Sequence, residues 1–199
     1  SKGYIKAEKK NKMRACDIKK IADTVLRRES DPKFSKLVSR DEIRANEYNM
    51  NIPRYVDSSE KAESWDIYAS MFGGIPKSEL DELRDYWDAF PNLKSALFTD
   101  CDAPYTSLAI EDIKKAIVAH EDIKRFGQKF DEAFGSFGAY LKSELVDKLE
   151  SINISKAEAA FSTDIFHRLV DIPLINKYEA YQLLNDNWTK ITVDLEILQ

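Results

Sequence analysis

Proton transfer, nucleophilic attack and metal binding draw on imidazoles, thiols, paired carboxylates and clustered cations, and this sequence holds a few of each. His120 and His167 are its only histidines. His120 stands beside Glu121 and Asp122, the usual company of a proton-transferring imidazole, and His167 lies between Phe166 and Arg168. Either can serve as a lone acid or base, but both read first as helix-boundary residues. Cys16 and Cys101 stand far apart with no CxxC or Cys/His spacing, so no zinc pattern forms. The carboxylate groups Asp81/Glu82/Asp85, Glu111/Asp112 and Asp131/Glu132 fall on helical stretches and read as solvated faces. Phe126, Phe130, Phe134 and Phe137 are able to stack on bases, although their helical spacing favours a packed core. No GxGxxG, GxxxxGK[ST], HExxH, GxSxG or kinase motif occurs. These residues therefore nominate no catalytic, cofactor-binding or metal site.

The cations are more informative. The formal net charge of −5 hides an asymmetry: residues 1–50 carry 14 Lys/Arg against 8 Asp/Glu, and the remainder carries 16 against 27. Lys2, Lys6, Lys9, Lys10, Lys12, Arg14, Lys19 and Lys20 meet only Glu8 and Asp17. Such a segment neutralises phosphates and binds nucleic acid in a salt-sensitive way, or else remains a solvated terminus. Lys6, Lys9, Lys10, Lys12, Arg14, Lys19 and Lys20 are the candidate DNA contacts. The acidic remainder argues against the whole molecule acting as a DNA clamp. Gly and Pro number six each, which excludes collagen-like and low-complexity classes. No apolar run approaches the roughly 20 residues of a membrane span, and the first 12 residues lack the apolar stretch of a signal peptide. Two stray thiols suit a reducing compartment, so a cytoplasmic location is expected.

The elements that position these groups are mostly helical. Ile18, Ile21, Ala22, Val25 and Leu26 form one stripe and predict a helix over 17–28, ended by Asp31-Pro32. Ser39 with Glu42 three residues on is a capping box opening a short helix to 46. Residues 48–56 alternate, and Pro53 cannot donate to a ladder, which predicts an extended strap or edge strand. Short helices follow around Trp65–Phe72, Ser78–Phe90, Leu93–Phe98 and Ile110–Ala119, with a loop at 100–104. The longest predicted helix spans 121–149. Its seam of Ile123, Phe126, Phe130, Phe134, Phe137, Leu141, Leu145 and Leu149 would face partners for about 40 Å, with Gly127, Gly135 and Gly138 as weak points. Helices over 154–170 and 177–198 complete a mainly α fold: a multi-helix bundle with one long helix, plus an extended N-terminal strap or edge strand. The expected division is a basic arm over 1–57 and a helical domain over 58–199.

Two stretches resemble a known family. Phe34-Ser35-Lys36-Leu37-Val38-Ser39 through Asp41-Glu42-Ile43, and then the block Asn46-Glu47-Tyr48-Asn49-Met50-Asn51-Ile52-Pro53-Arg54-Tyr55-Val56-Asp57, resemble the segment following the catalytic domain in methyltransferase (M) subunits of type I restriction-modification systems. Asn11-Lys12-Met13-Arg14 and Asp17-Ile18-Lys19-Lys20-Ile21 fit the same lead-in helix. Pro173-Leu174-Ile175-Asn176-Lys177-Tyr178-Glu179-Ala180-Tyr181-Gln182-Leu183-Leu184, then Asn187-Trp188, is similar to a block near the C-terminal part of longer members. Glu63 to Tyr68 and Tyr86 to Pro91 also fit.

The resemblance implies a parent that transfers a methyl group from S-adenosylmethionine to adenine N6 in DNA. The family's glycine-rich and Asn-Pro-Pro-aromatic motifs are not in this sequence; Asn51-Ile52-Pro53 is no substitute. The chain thus reads as a segment of a longer protein, with the cofactor assigned to a preceding domain. Residues 1–57 are expected to pack on that domain and to be poorly packed without it. The implied partners are the specificity subunit, further the restriction (motor) subunit, and DNA, with no membrane. The expected role is a non-catalytic scaffold. The alternatives are a DNA-contacting module using the basic arm, and a small enzyme built on His120 or His167.

Overall fold

Local signals account for much of the first compact unit. The computed structural model describes residues 4–7, 10–59, 65–99 and 104–198, and its contacts divide the chain into Ser1–Ser64 and Trp65–Gln199. The first unit opens with a two-stranded antiparallel hairpin, β1 (Ile5–Ala7) and β2 (Lys10–Lys12). Helix α1 (Ala15–Arg27) follows, with Asp17 in its first turn and Arg27 in its last, as the helix dipole favours. It stops at Arg28, whose left-handed backbone (φ 53°) returns its N–H to the carbonyls of Thr24 and Val25. Helix α2 (Arg40–Ala45) starts where Ser39 Oγ accepts the Glu42 N–H, half of the anticipated capping box.

Residues 48–56 depart from a simple strap. Asn51 is extended, but Ile52–Arg54 form a 3-10 turn with Pro53 in its first positions. Proline's fixed φ suits the start of a helical turn as well as an edge strand, and hydrogen bonds from Arg54 and Tyr55 N–H to Asn51 and Ile52 carbonyls close this one.

In the second unit, α3 (Ile67–Phe72) is capped by Asp66 and leads to β3 (Ile75–Pro76). The helix predicted over 78–90 is two, α4 (Lys77–Glu82) and α5 (Arg84–Ala89), broken at Leu83. Then come α6 (Leu93–Leu97), β4 (Tyr105–Thr106) paired antiparallel with β3, and α7 (Ile113–Ala119). The anticipated loop at 100–104 lies largely outside the described residues.

The stretch read as one helix over 121–149 is divided. Helix α8 (Glu121–Phe134) ends at Gly135, α9 covers Phe137–Lys142, a π-helical turn covers Ser143–Asp147 and a 3-10 turn covers Leu149–Ser151. Gly135 and Ser136 are weak helix formers, and the seam's spacing does not register that penalty. Helices α10 (Ile154–Arg168) and α11 (Lys177–Leu198) follow, and α11, with 22 residues, is the longest. Among the described residues, three buried clusters hold the unit. Phe90, Leu93 and Leu97 form one; Phe161, Trp188 and Leu195 the second; Ile165, Leu169 and Ile172 the third.

Candidate functional site

The structure separates six of the seven candidate DNA-contacting residues into two groups. Arg14 forks onto Asp17 (Nε–Oδ2 2.8 Å, Nη2–Oδ1 3.1 Å), and that hydrogen bond holds the Asp17 carboxyl below its ordinary range. Lys19 lies 3.6 Å from Asp23. Lys20 lies 2.8 Å from Asp31 and 4.0 Å from the centroid of the Phe34 ring. These three cations are engaged within their own unit. Lys6, Lys10 and Lys12 stand exposed on the hairpin, and among the described residues no ion pair involves them. Lys9 lies outside the described residues.

The block 46–57 is a frame and a face. Asn46 closes α2 by donating its amide to the Glu42 carbonyl (3.1 Å). Glu47 N–H returns to Arg44 O and Tyr48 N–H to Ile43 O, the paired bonds of a Schellman helix end. This turn places Glu47 and Tyr48 at φ 55° and 56°, a left-handed conformation that side chains other than glycine resist. Asn49 Oδ1 accepts the Asn51 N–H (3.0 Å), and Tyr55 OH donates to the Asn49 carbonyl (2.6 Å). Asn46, Asn49, Asn51 and Tyr55 therefore hold the backbone in shape. Tyr48, Met50 and Ile52 are 67%, 74% and 71% exposed, with Pro53 and Arg54 beside them at the surface. The apolar face of α1 is also open at Ile18, Val25 and Leu26.

In the second unit the seam residues are half-buried, Phe130 excepted, and line several clusters rather than one partner face. Phe126 packs on the Phe90 cluster and on the Ile165 cluster, Phe134 and Phe137 on the Ile165 cluster too, and Leu141, Leu145 and Leu149 against Phe161 and Trp188. Phe130 stays exposed and stacks on Phe134 with centroids 4.8 Å apart. With Phe134, Phe137 and Leu141 it forms one wall of a groove of about 800 Å³. Leu174, Leu183 and Glu179 contribute to the opposite side. Leu174 adopts a left-handed backbone (φ 65°) in the turn before α11. Sequence reasoning missed these residues as groove-formers, because a groove between α8, α9, α10 and α11 is not a property of any one helix.

His120 has a structural role. His120 Nδ1 accepts the Asp122 N–H (3.1 Å), capping α8. Asp122 Oδ2 is 3.9 Å from His120, but the carboxylate is engaged by Asn92, through its N–H (2.9 Å) and its side-chain amide (3.3 Å). Those bonds, the backbone one foremost, hold Asp122 below the ordinary carboxylate range. His167 is exposed on α10 in a shallow recess with Asp164, which is itself paired with Arg168. No group of His, Cys, Asp and Glu among the described residues is arranged to hold a metal ion.

The resemblance implies S-adenosylmethionine for the longer protein, and a usual cofactor cradle is a glycine-rich turn whose bare backbone approaches the ligand. Gly73 and Gly74 are the only adjacent glycines. A Cβ on Gly74 would stand 3.2 Å from Tyr105, so the missing side chain there makes room for a packed tyrosine.

The family model described as N-6 DNA methylase matches residues 1–64. Residues 1–64 are thus similar to N-6 DNA methylases. The match contains the block 46–57 and ends at the boundary of the first compact unit. A curated relative, the type I restriction enzyme MpnII methylase subunit of Mycoplasma pneumoniae, is 31% identical over 67 residues, which are 34% of this chain and 12% of that protein. The resemblance to type I M subunits is thus borne out over residues 1–64, and the chain spans about an eighth of the relative's length. Pro173 to Trp188 lies outside the family match. No solved structure matches the chain. No helix among the described residues is long and apolar enough to cross a membrane.

Proposed function

We propose that this chain is a non-catalytic scaffold region of a type I M subunit, joining a methylase domain to the specificity subunit and to DNA. The observation that carries this reading is the first unit itself. It coincides with the methylase match, yet its large apolar side chains Ile18, Val25, Leu26, Tyr48, Met50 and Ile52 face outward. A strained turn stapled by Asn46, Asn49 and Tyr55 keeps Tyr48, Met50 and Ile52 on display, as expected of a surface shaped for a protein neighbour. That neighbour is the methylase domain. Methyl transfer from S-adenosylmethionine, with the flipped adenine it requires, belongs to that domain. The second unit offers the groove of Phe130, Phe134, Leu174 and Leu183 to a helix of the specificity subunit. The restriction (motor) subunit joins through the same assembly.

The test is size-exclusion chromatography with light scattering on this chain mixed with the specificity subunit of its own system. A co-eluting complex is expected, and Leu183→Asp, at a 67% exposed position, should abolish it without altering the helical circular dichroism. Failure to co-elute at micromolar concentrations sinks the specificity-subunit part of the reading.

A further inference from the structure

Three lysines on the hairpin distinguish it from the rest of the basic arm. In the ladder Lys12 stands opposite Ile5, Asn11 opposite Lys6 and Lys10 opposite Ala7. Side chains alternate along a strand, so Lys10 and Lys12 share one face and Lys6 and Asn11 the other. All four are exposed. The two strands carry no acidic residue, whereas the acids of the α1 region neutralise Arg14, Lys19 and Lys20. Positive charge is thus concentrated on a thin ribbon, with its strands about 4.8 Å apart. The major groove of B-DNA is about 12 Å wide and admits a two-stranded ribbon of this kind.

We propose that strands β1 and β2 enter a groove of duplex DNA as a β-ribbon that grips the backbone. Lys10 and Lys12 reach phosphates along one wall and Lys6 reaches the other, with the Asn11 amide beside it. The grip is independent of base sequence, because lysine contacts to phosphate carry no sequence information. This inference rests on the DNA part of the proposed function and not on the specificity-subunit part.

Two charge-matched variants of the full chain test it by fluorescence anisotropy with a labelled duplex over a salt series. K6Q/K10Q/K12Q should flatten the slope of log affinity against log salt by about 2.7, at 0.9 per lost phosphate contact. R14Q/K19Q/K20Q should leave the slope nearly unchanged, since those cations are already engaged. Ala7→Pro keeps the charge but removes a ladder N–H from the pair beside the two-residue connection, and should weaken duplex binding while the helical circular dichroism is retained. Parent-like binding by Ala7→Pro would show that a basic arm suffices and overturn the ribbon. Equal losses from the two triple variants, or equal affinity for a single strand of the same length, would overturn it too. If the parent chain bound no duplex, the DNA part of the proposed function would fall with it. Binding with equal losses would remove the ribbon alone.

Discussion

Asp122 and Arg168 each fasten distant segments of the second unit. The Asp122 carboxylate, 4% exposed, ties the start of α8 to Asn92 just before α6. Its hydrogen bonds stabilise the ionised form, so its pKa is lower in the folded chain than in the unfolded one, where it stands near 3.9. Stability from this group is therefore fully present above the unfolded value and is lost as pH falls through the folded one. Asp122→Asn should lower the urea midpoint at neutral pH and make its decline below about pH 5 shallower. Urea titrations at a series of pH values check this, and an unchanged acid limb would count against it. Arg168, whose side chain is 14% exposed, pairs with Asp164 and donates to Ser136 Oγ (3.0 Å) and to the Ala133 carbonyl near the end of α8. It stabilises the helix end where the seam breaks. Arg168→Met strands that carbonyl and Asp164 together, and should destabilise the unit by about 2–3 kcal/mol in chemical denaturation.

At the scale of elements, the break between α8 and α9 makes two glycines behave oppositely. Gly127 lies within α8 with nothing within 4 Å of the position a Cβ would take. Gly127→Ala should therefore stabilise the chain by up to about 1 kcal/mol, the ordinary helix-propensity gain. Gly135 ends that helix, and a Cβ there would meet the Asp131 carbonyl oxygen at 2.9 Å. That oxygen is backbone and already accepts the Gly135 N–H. Gly135→Ala should destabilise by about 1–2 kcal/mol. Thermal unfolding of the two variants should shift in opposite directions; a shared direction would mean that propensity alone governs the junction. The same contrast explains what was legible beforehand. Helices α1, α2, α10 and α11 have local stripes, caps or breakers, so they were readable to within a few residues. The hairpin was not, because strands of three residues rich in Lys and Asn carry neither β-propensity nor alternation. The seam's spacing showed which residues turn inward but not that they belong to separate clusters, since that depends on where Gly135 bends the chain. The groove depends on Leu174 and Leu183 lining the same hollow as Phe130, a tertiary event without a sequence pattern.

The whole molecule joins units of unlike charge and unlike cores. Residues 1–64 carry 16 Lys/Arg and 11 Asp/Glu, and residues 65–199 carry 14 and 24. Among the described residues the buried core clusters lie in the second unit, while Cys16, 2% exposed, is the buried apolar residue of the first. Burial of apolar area supplies most of the free energy that offsets chain entropy, so the first unit should open under milder conditions than the second. The sequence contains probes for both. Trp65, Trp87 and Trp188 all belong to the second unit, so tryptophan fluorescence follows that unit. The Cys16 thiol follows the first, once Cys101→Ser removes the other thiol. In that background Cys16 should react with a thiol reagent at urea concentrations below the fluorescence transition. Adding the methylase domain should move the thiol transition upward and leave the fluorescence transition in place, because a ligand stabilises only the fold it binds. Coincident transitions in the isolated chain would mean that the first unit is held by something other than its own core. The outward apolar faces of α1 and the 48–52 turn would then lose their standing as a surface awaiting a neighbour.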